Sequence, residues 1–144
     1  MTKLYLDIDG VLLTKRLTEP AEHVAQFIEY LTENFECFWL TTHCKGSERT
    51  ALGYLKQFLD EHVMEQLERV KPTMWTTMKT EALDLTSDFY WLDDNPFQME
   101  IEFLRSHDKL DRLILVDLNN KDELLKIKKR LPPTPTKPDV CDST

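Results

Sequence analysis

Two aspartates, Asp7 and Asp9, stand one residue apart at the end of an apolar segment close to the N-terminus. If this segment is a β-strand, alternation places both carboxylates on one side and Leu6 and Ile8 on the other. Two neighbouring carboxylates repel each other unless a cation or a shared proton lies between them. The spacing therefore predicts a metal-assisted pair of carboxylates that act as acid/base or nucleophile.

Polar residues also follow two later apolar runs that have the composition of buried strands. Thr41 and Thr42 follow one run, and Asp93 and Asp94 follow the other. Carboxylate oxygens together with water are the ligands that Mg²⁺ prefers, and Mg²⁺ often binds carboxylates and substrate phosphate at once. A threonine hydroxyl, turn N–H groups and a lysine are suited to phosphate oxygens. These residues predict a site for Mg²⁺ and a phosphate group.

Strand patterns alternate with helix patterns along the chain. The predicted strands are one that starts at Lys3 and further ones over 37–40, 67–70, 89–92 and 112–117. This alternation predicts an α/β fold, an open three-layer parallel sheet of about five strands with helices on both faces. Ligands bind such sheets at the carboxyl ends of the strands, which is where all of these polar residues would lie.

Local signals predict where two of the helices begin. Asn95 is a good cap residue and Pro96 suits the first helical position, so a helix should start there with Phe97 on its buried face. Lys79 should lie early in a helix that precedes the 89–92 strand.

The length and composition predict one folded domain, which we assign to residues 1–131. The chain has 144 residues and 41% apolar content, enough for a core without disulfides or a structural metal. Residues 132–144 are rich in proline and should form an extended or disordered tail. The tryptophans Trp39, Trp75 and Trp91 could stack nucleic-acid bases, but core packing is the favoured interpretation.

Charge and cysteine content narrow the function classes. The net charge of -8 gives no support to nucleic-acid binding, although a nucleic-acid end is still a conceivable substrate. No apolar run reaches membrane-spanning length, so no membrane partner is expected. The spacing of Cys37, Cys44 and Cys141 matches no zinc pattern, which favours free thiols in the cytoplasm.

Four segments resemble the motifs of the haloacid dehalogenase-like phosphohydrolase superfamily, in the family's order. The stretch 7–11, Asp-Ile-Asp-Gly-Val, is similar to the first motif, and Leu40-Thr41 resembles the second. Lys79 fits the third motif, and the stretch 91–94, Trp-Leu-Asp-Asp, resembles the fourth. The Lys-Pro pair at Lys71 also resembles a form of the third motif, but Lys79 leaves room for only one helix and one strand before the acidic pair and is preferred.

The resemblance implies a Mg²⁺-dependent phosphatase that hydrolyses a phosphate monoester. Asp7 would be the nucleophile that forms an aspartyl-phosphate, and Asp9 the general acid/base, with its backbone carbonyl directed at Mg²⁺. Asp94 would be the metal ligand of the acidic pair, and Asp93 would orient it or a bound water. An aspartate at position 9 favours phosphate ester hydrolysis over the ATPase and dehalogenase branches of the family.

The resemblance also implies how the phosphoryl group is held. Thr41 and Lys79 would bind its oxygens, aided by Thr42 and by the turn at Asp9 and Gly10. The segments between the motifs are too short for a cap domain, so the site should be open. Open sites in this superfamily tend to serve large substrates, namely phosphoproteins, nucleic-acid ends or glycan-linked phosphates, and a phosphoprotein or a nucleic-acid end is the expected class.

Two other functions compete with this interpretation. A phospho-acceptor receiver domain also combines a parallel sheet, aspartates and Mg²⁺, but its acidic pair comes first in the chain. A non-catalytic phosphate- or metal-binding module would keep the fold, yet every motif side chain is present. The basic run over 126–130 could dock a phosphorylated partner, although cations that complement a helix C-terminus are the favoured explanation.

Overall fold

The alternating strands and helices are confirmed in a computed structural model, which describes residues 1–133. The strands are β1 (Lys3–Leu6), β2 (Glu36–Trp39), β3 (Phe89–Asp93) and β4 (Leu113–Leu115). The helices are α1 (Val24–Asn34), α2 (Glu48–Leu55), α3 (Glu61–Leu67), α4 (Gln98–Ser106) and α5 (Glu123–Arg130). Among these described helices, none is long and apolar enough to cross a membrane. The tail predicted over 132–144 lies, except for its first two residues, outside the described residues.

The four described strands form one parallel sheet in the order β2-β1-β3-β4. Leu6 is paired with Trp39 of β2 on one side and with Leu92 of β3 on the other. After β1 the chain adds β2 on one side of the sheet, and after β3 it adds β4 on the opposite side. The strand order therefore reverses between β1 and β3. A crevice at the carboxyl ends of β1 and β3 is the position where such folds bind ligands.

The two faces of the sheet bury different side chains, as the alternation in β1 predicts. Leu4, Leu6 and Ile8 belong to a cluster that includes residues of α1, α3 and α5. Tyr5 belongs to a second cluster with Trp91 of β3 and Leu104 of α4. Helices therefore cover both faces, and the predicted three-layer α/β architecture is confirmed. The three tryptophans are all buried and so serve the core, as the sequence favours.

The strand predicted over 67–70 is wrong. Helix α3 extends to Leu67, and the chain then turns, with Val70 N–H donating to the Leu67 carbonyl at 3.0 Å, so these residues cannot pair as a strand. Only Lys71 then pairs with β2, through two main-chain hydrogen bonds of 2.9 and 2.8 Å. Pro72 follows directly and has no N–H to continue the ladder.

The predicted start of α4 at Asn95 is also wrong. Asp93 Oδ1 accepts from Asn95 N–H at 3.0 Å, which forms a local turn instead of a helix cap. The helix begins at Gln98, and Glu100 accepts from the N–H of Phe97 at 2.9 Å. Phe97 consequently points outwards and is 63% exposed, contrary to its predicted burial.

The helix expected around Lys79 is a single 3-10 turn, Lys79–Ala82. The Glu81 carboxylate accepts from the N–H groups of the three residues that precede the turn, Thr76, Thr77 and Met78. These bonds lower the pKa of Glu81 to about 2 and define the loop that leads into Lys79. The segment is thus held by side-chain hydrogen bonds and not by a long helix.

Candidate active site

Asp7 follows β1 directly and stays in line with the sheet. Its N–H donates to the Leu92 carbonyl at 3.2 Å, which continues the pairing of β1 with β3 beyond the last strand residue. The side chain is buried, and its Oδ1 accepts from Ile8 N–H at 2.8 Å. The second oxygen, Oδ2, is left to face the crevice and lies 3.2 Å from Lys79 Nζ.

Lys79 connects the ends of the two central strands. Its ammonium lies 3.2 Å from Asp7 Oδ2 and 2.7 Å from Asp93 Oδ2, and Asp93 is only 2% exposed. The alternative lysine, Lys71, lies at the edge of the sheet, where its ammonium pairs with Glu36 at 2.7 Å. The structure therefore brings Lys79, and not Lys71, to the acidic residues.

Asp7, Asp93 and Asp94 form a carboxylate cluster at this end of the sheet. Each offers an oxygen, and these oxygens lie within 4.8 Å of one another. Lys15, from the loop after β1, lies 2.9 Å from Asp94 Oδ2. Three carboxylates of which two are buried fit a hard divalent cation such as Mg²⁺.

The pKa values in the cluster reflect its burial and its crowded charges. Burial and the negative charge of Asp93 raise the pKa of Asp7 to about 6, and Lys79 opposes this only in part. Burial would lower the pKa of Lys79, but the charges of Asp7 and Asp93 outweigh it and raise the pKa. Lys79 is therefore a permanent cation, and further positive charge would favour the ionised form of Asp7.

The Asp94 side chain lies so close to the backbone at position 10 that only glycine fits there. A Cβ atom at this position would lie 2.3 Å from Asp94 Cγ, and the φ angle of +87° is one that other residues rarely adopt. The Gly10 N–H donates to the Leu13 carbonyl at 2.7 Å. The N–H that was predicted to contact phosphate is thus engaged within its own loop, and the glycine serves to admit Asp94.

The two threonines after β2 differ in their exposure. Thr41 is almost completely buried, and its hydroxyl accepts from His43 N–H at 3.3 Å. Thr42 is exposed and lines the cleft. The Thr41 hydroxyl still has its own proton to donate, as a phosphate-binding hydroxyl requires.

Asp9 lines the same cleft but stands apart from the carboxylate cluster. Its Oδ2 lies 2.8 Å from His43 Nε2, and its Oδ1 accepts from the Tyr54 hydroxyl at 2.9 Å. The His43 and Tyr54 rings are stacked, with centroids 4.0 Å apart and an interplanar angle of 13°. Neither of these partners was predicted from the sequence as a site residue.

Glu100 is a further residue of the site that was not predicted from the sequence. It is 2% exposed, and its Oε2 accepts from Lys79 N–H at 2.6 Å while Oε1 accepts from Phe97 N–H. One carboxylate thus joins the start of α4 to the backbone of Lys79. A glutamate three residues after a helix cap is a recognisable signal, but it is visible only once the cap is placed at Phe97.

The cleft around these residues is open and has a volume of about 430 Å³. A second cleft of about 670 Å³ adjoins it and shares Lys15 and Asp94. Cations and aromatic rings line the first cleft beside the acidic residues, and Lys45 Nζ lies 4.3 Å from the centre of the Trp75 ring. The described segments between the predicted motifs hold only α1 and β2, and then α2 and α3, so no cap domain lies between them.

Comparison of this chain with protein-family models, with curated proteins and with solved structures finds no match in any of the three. The resemblance to haloacid dehalogenase-like phosphohydrolases therefore rests on four short motifs alone. Any function assigned to the site depends on the geometry of the residues that form it.

Proposed function

We propose that this protein is a Mg²⁺-dependent phosphatase that hydrolyses a phosphate monoester through a phosphoaspartyl intermediate on Asp7. The observation that carries this proposal is the position of Lys79, whose ammonium lies between Asp7 at 3.2 Å and Asp93 at 2.7 Å. A buried nucleophile candidate, a fixed cation and a carboxylate cluster meet where the strand order reverses. This combination suits transfer of an anionic phosphoryl group.

Asp7, Asp93 and Asp94 are the side chains that would hold Mg²⁺, and the family resemblance adds the Asp9 carbonyl. The spacing of these carboxylates fits a single bound cation, because one oxygen from each of the three lies within 4.8 Å of the other two. The fit is also supported by the raised pKa of Asp7, since added positive charge would restore the ionised nucleophile. When bound, Mg²⁺ would offset the repulsion between the Asp7 carboxylate and the phosphate dianion.

The protein side chains then divide the reaction into two displacements. An Asp7 oxygen attacks phosphorus, the bond from phosphorus to the ester oxygen breaks, and Asp9 gives its proton to that oxygen as the alcohol leaves. Asp9, now ionised, takes a proton from a water that attacks the phosphoaspartate. The bond from phosphorus to Asp7 breaks, inorganic phosphate leaves, and the Asp7 carboxylate is regenerated.

Lys79 and Thr41 stabilise the phosphoryl group during both displacements. The Lys79 ammonium is fixed by two carboxylates and by the Glu100 contact to its backbone, so it needs no reorganisation when charge develops. The Thr41 hydroxyl donates a neutral hydrogen bond from the adjacent strand end. Burial strengthens both contacts, because solvent screens them little.

The open cleft favours a phosphorylated group that is part of a large molecule. Two adjoining clefts, with no cap domain in the described segments between the motifs, leave room for a chain to continue beyond the phosphate. A phosphoprotein and a nucleic-acid end are the two expected substrate classes, and this space is compatible with both. The net charge of -8 gives the second class no support.

A substrate panel tests the proposal. Purified protein should hydrolyse an aryl phosphate in the presence of Mg²⁺, and an excess of EDTA should abolish the activity. Phosphopeptides, oligonucleotides with 3′- or 5′-phosphate, and sugar phosphates then separate the substrate classes by kcat/KM. Full activity of Asp7→Asn, or activity that is indifferent to Mg²⁺, would refute the mechanism.

A further inference from the structure

We propose that His43 and Tyr54 are positioning residues that hold the Asp9 carboxyl group where the leaving oxygen departs. This inference rests on the proposed phosphatase function and assigns to it two side chains that none of the four motifs contains. His43 comes from the turn after β2, and Tyr54 comes from α2. Two elements outside the β1 loop thereby determine where Asp9 points.

The contacts to Asp9 are specific on both of its oxygens. His43 Nε2 lies 2.8 Å from Oδ2, and the Tyr54 hydroxyl lies 2.9 Å from Oδ1. The two rings stack at 4.0 Å, and Phe58 packs edge-on against Tyr54 at 5.6 Å. Each ring thus restricts the other, and each oxygen of the Asp9 carboxyl group has one of them as its partner.

Tyr54 acts as a hydrogen-bond donor throughout the reaction. Partial burial and its bond to Asp9 raise the pKa of the Tyr54 hydroxyl above its ordinary value, so the group keeps its proton. The stack with His43 also fixes the plane in which this O–H can point. Removing the hydroxyl alone would free one Asp9 oxygen without removing the ring.

The position in which Asp9 is held suits protonation of the leaving oxygen, and does not suit attack on phosphorus. In an in-line displacement the leaving oxygen lies on the side of phosphorus opposite the attacking Asp7. The Asp9 side chain is 34% exposed and that of Asp7 only 11%, so Asp9 lies nearer the cleft mouth. His43 and Tyr54 hold the proton donor on the side from which an alcohol must leave.

Leaving-group dependence tests this role directly. A poor leaving group such as the alkoxide of glycerol phosphate needs a proton, whereas 2,4-dinitrophenolate departs without one. We expect Tyr54→Phe and His43→Gln to lose about 10- to 100-fold in kcat/KM on the alkyl phosphate, the order of loss that a misplaced catalytic group causes. The ratio kcat/KM reports the first displacement, in which the alcohol leaves, and not the later hydrolysis of the phosphoaspartate, in which Asp9 also takes part. On 2,4-dinitrophenyl phosphate the same variants should lose less than about threefold in kcat/KM, because this leaving group needs no proton.

Two matched controls separate positioning from structure. Tyr30→Phe also removes a partly buried hydroxyl that makes a hydrogen bond, in its case to the Leu131 carbonyl, and should leave both activities unchanged. Lys79→Met should lose activity on both substrates alike, because the phosphoryl group is common to them. Using both Tyr54→Phe and His43→Gln keeps the test decisive if one of them fails to fold.

Equal losses of kcat/KM on the two substrates, or no loss of kcat/KM on the alkyl phosphate, would overturn the positioning role while leaving the phosphatase function intact. A wild-type protein that hydrolyses neither substrate with Mg²⁺ would overturn the proposed function and this inference together. A selective loss on the alkyl phosphate supports both.

Discussion

The ammonium of Lys79 lies 2.7 Å from Asp93 Oδ2, and this contact ties the 3-10 turn to the end of β3. The same ammonium reaches Asp7 Oδ2 at 3.2 Å at the end of β1. A single cation therefore links the two central strands at the point where the strand order reverses. Substitution of Lys79, of Glu100 or of Asp7 should therefore change kcat, the free energy of unfolding, or both, in a way that differs for each residue.

The first prediction separates the two candidate lysines. Lys79→Met should lower kcat by about 100-fold or more, because it removes a preorganised cation from the phosphoryl group. Lys71→Met should leave kcat within about twofold, since Lys71 pairs with Glu36 near solvent and such pairs contribute little. Steady-state kinetics of both variants on one aryl phosphate make the comparison. A larger loss for Lys71→Met would reverse the assignment.

The second prediction concerns Glu100, which accepts from Lys79 N–H at 2.6 Å and from Phe97 N–H at 2.9 Å. Glu100→Gln must turn an amide NH₂ towards one of these donors. We expect it to lower the free energy of unfolding by about 1–3 kcal/mol, the usual cost of an unpaired buried polar group. It should also reduce kcat through displacement of Lys79.

The control for this prediction is Glu102→Gln on the same helix. Glu102 is exposed and pairs with Arg105, so its substitution should change the free energy of unfolding by less than about 0.5 kcal/mol. Urea denaturation of both variants gives the difference. If Glu100→Gln were as stable as Glu102→Gln, the joining role of Glu100 would be wrong.

These supporting residues show where prediction from sequence stops. Asp7, Asp93, Asp94 and Thr41 could be placed at one sheet edge, because each follows an apolar run and parallel strands end on the same side. Lys79 is singled out by the family resemblance, and the length of chain left before the acidic pair favours it over Lys71. Periodicity and strand ends therefore predict the fold and the carboxylates and threonine at this sheet edge, whereas the choice of lysine needs the resemblance.

The remaining features depend on contacts that no local pattern encodes. Asn95 and Pro96 are good helix-starting residues, yet Asp93 takes the Asn95 N–H and moves the start of α4 to Gln98. Tyr54 reaches its aspartate from α2, across a large separation in sequence. Its position in a helix pattern indicates only a partly buried ring. Contacts between residues so far apart in sequence can be identified only from the three-dimensional structure.

The third prediction is a pH-dependent gain in stability when the nucleophile is neutralised. The pKa of Asp7 is about 6 in the folded protein against an ordinary value of 3.8. The unfolded chain therefore loses its proton first as the pH rises, and the folded state is progressively destabilised between these two values. Well above pH 6 this cost is complete, and well below 3.8 it vanishes.

Asp7→Asn removes that cost, so in EDTA at about pH 7.5 it should raise the free energy of unfolding. The difference between a pKa of about 6 and the ordinary value of 3.8 corresponds to about 3 kcal/mol, and this value already includes the favourable interaction of Asp7 with Lys79. The gain should shrink as the pH falls below about 6, be small near pH 4 and vanish well below 3.8. Asp111→Asn, at an exposed position, is the control and should show no gain at either pH. A gain that is independent of pH would mean that the raised pKa of Asp7 is not its cause.

The fourth prediction concerns the glycine that admits Asp94. Gly10→Ala places a Cβ 2.3 Å from Asp94 Cγ at a φ of +87°, and the strain should cost about 1–3 kcal/mol. Displacement of Asp94 should also weaken Mg²⁺ binding, measured by calorimetry. Gly53→Ala in α2 is the matched control, because nothing lies within 4 Å of its Cβ position. It should stabilise the protein by up to about 1 kcal/mol. Equal Mg²⁺ affinity of Gly10→Ala and wild type would contradict the assigned role of Asp94.

The phosphoaspartyl intermediate is the central claim, and trapping it is the most direct test. Wild-type protein would be mixed with an aryl phosphate and Mg²⁺, quenched in acid during turnover, and analysed by peptide mass spectrometry. We predict one added phosphoryl group on Asp7, more of it in Asp9→Asn because its hydrolysis is slowed, and none in Asp7→Asn or in EDTA. A phosphoryl group on Asp7 that persists for hours without turnover would instead indicate a phospho-acceptor domain. A phosphoryl group on another residue, or undiminished turnover by Asp7→Asn, would contradict the mechanism.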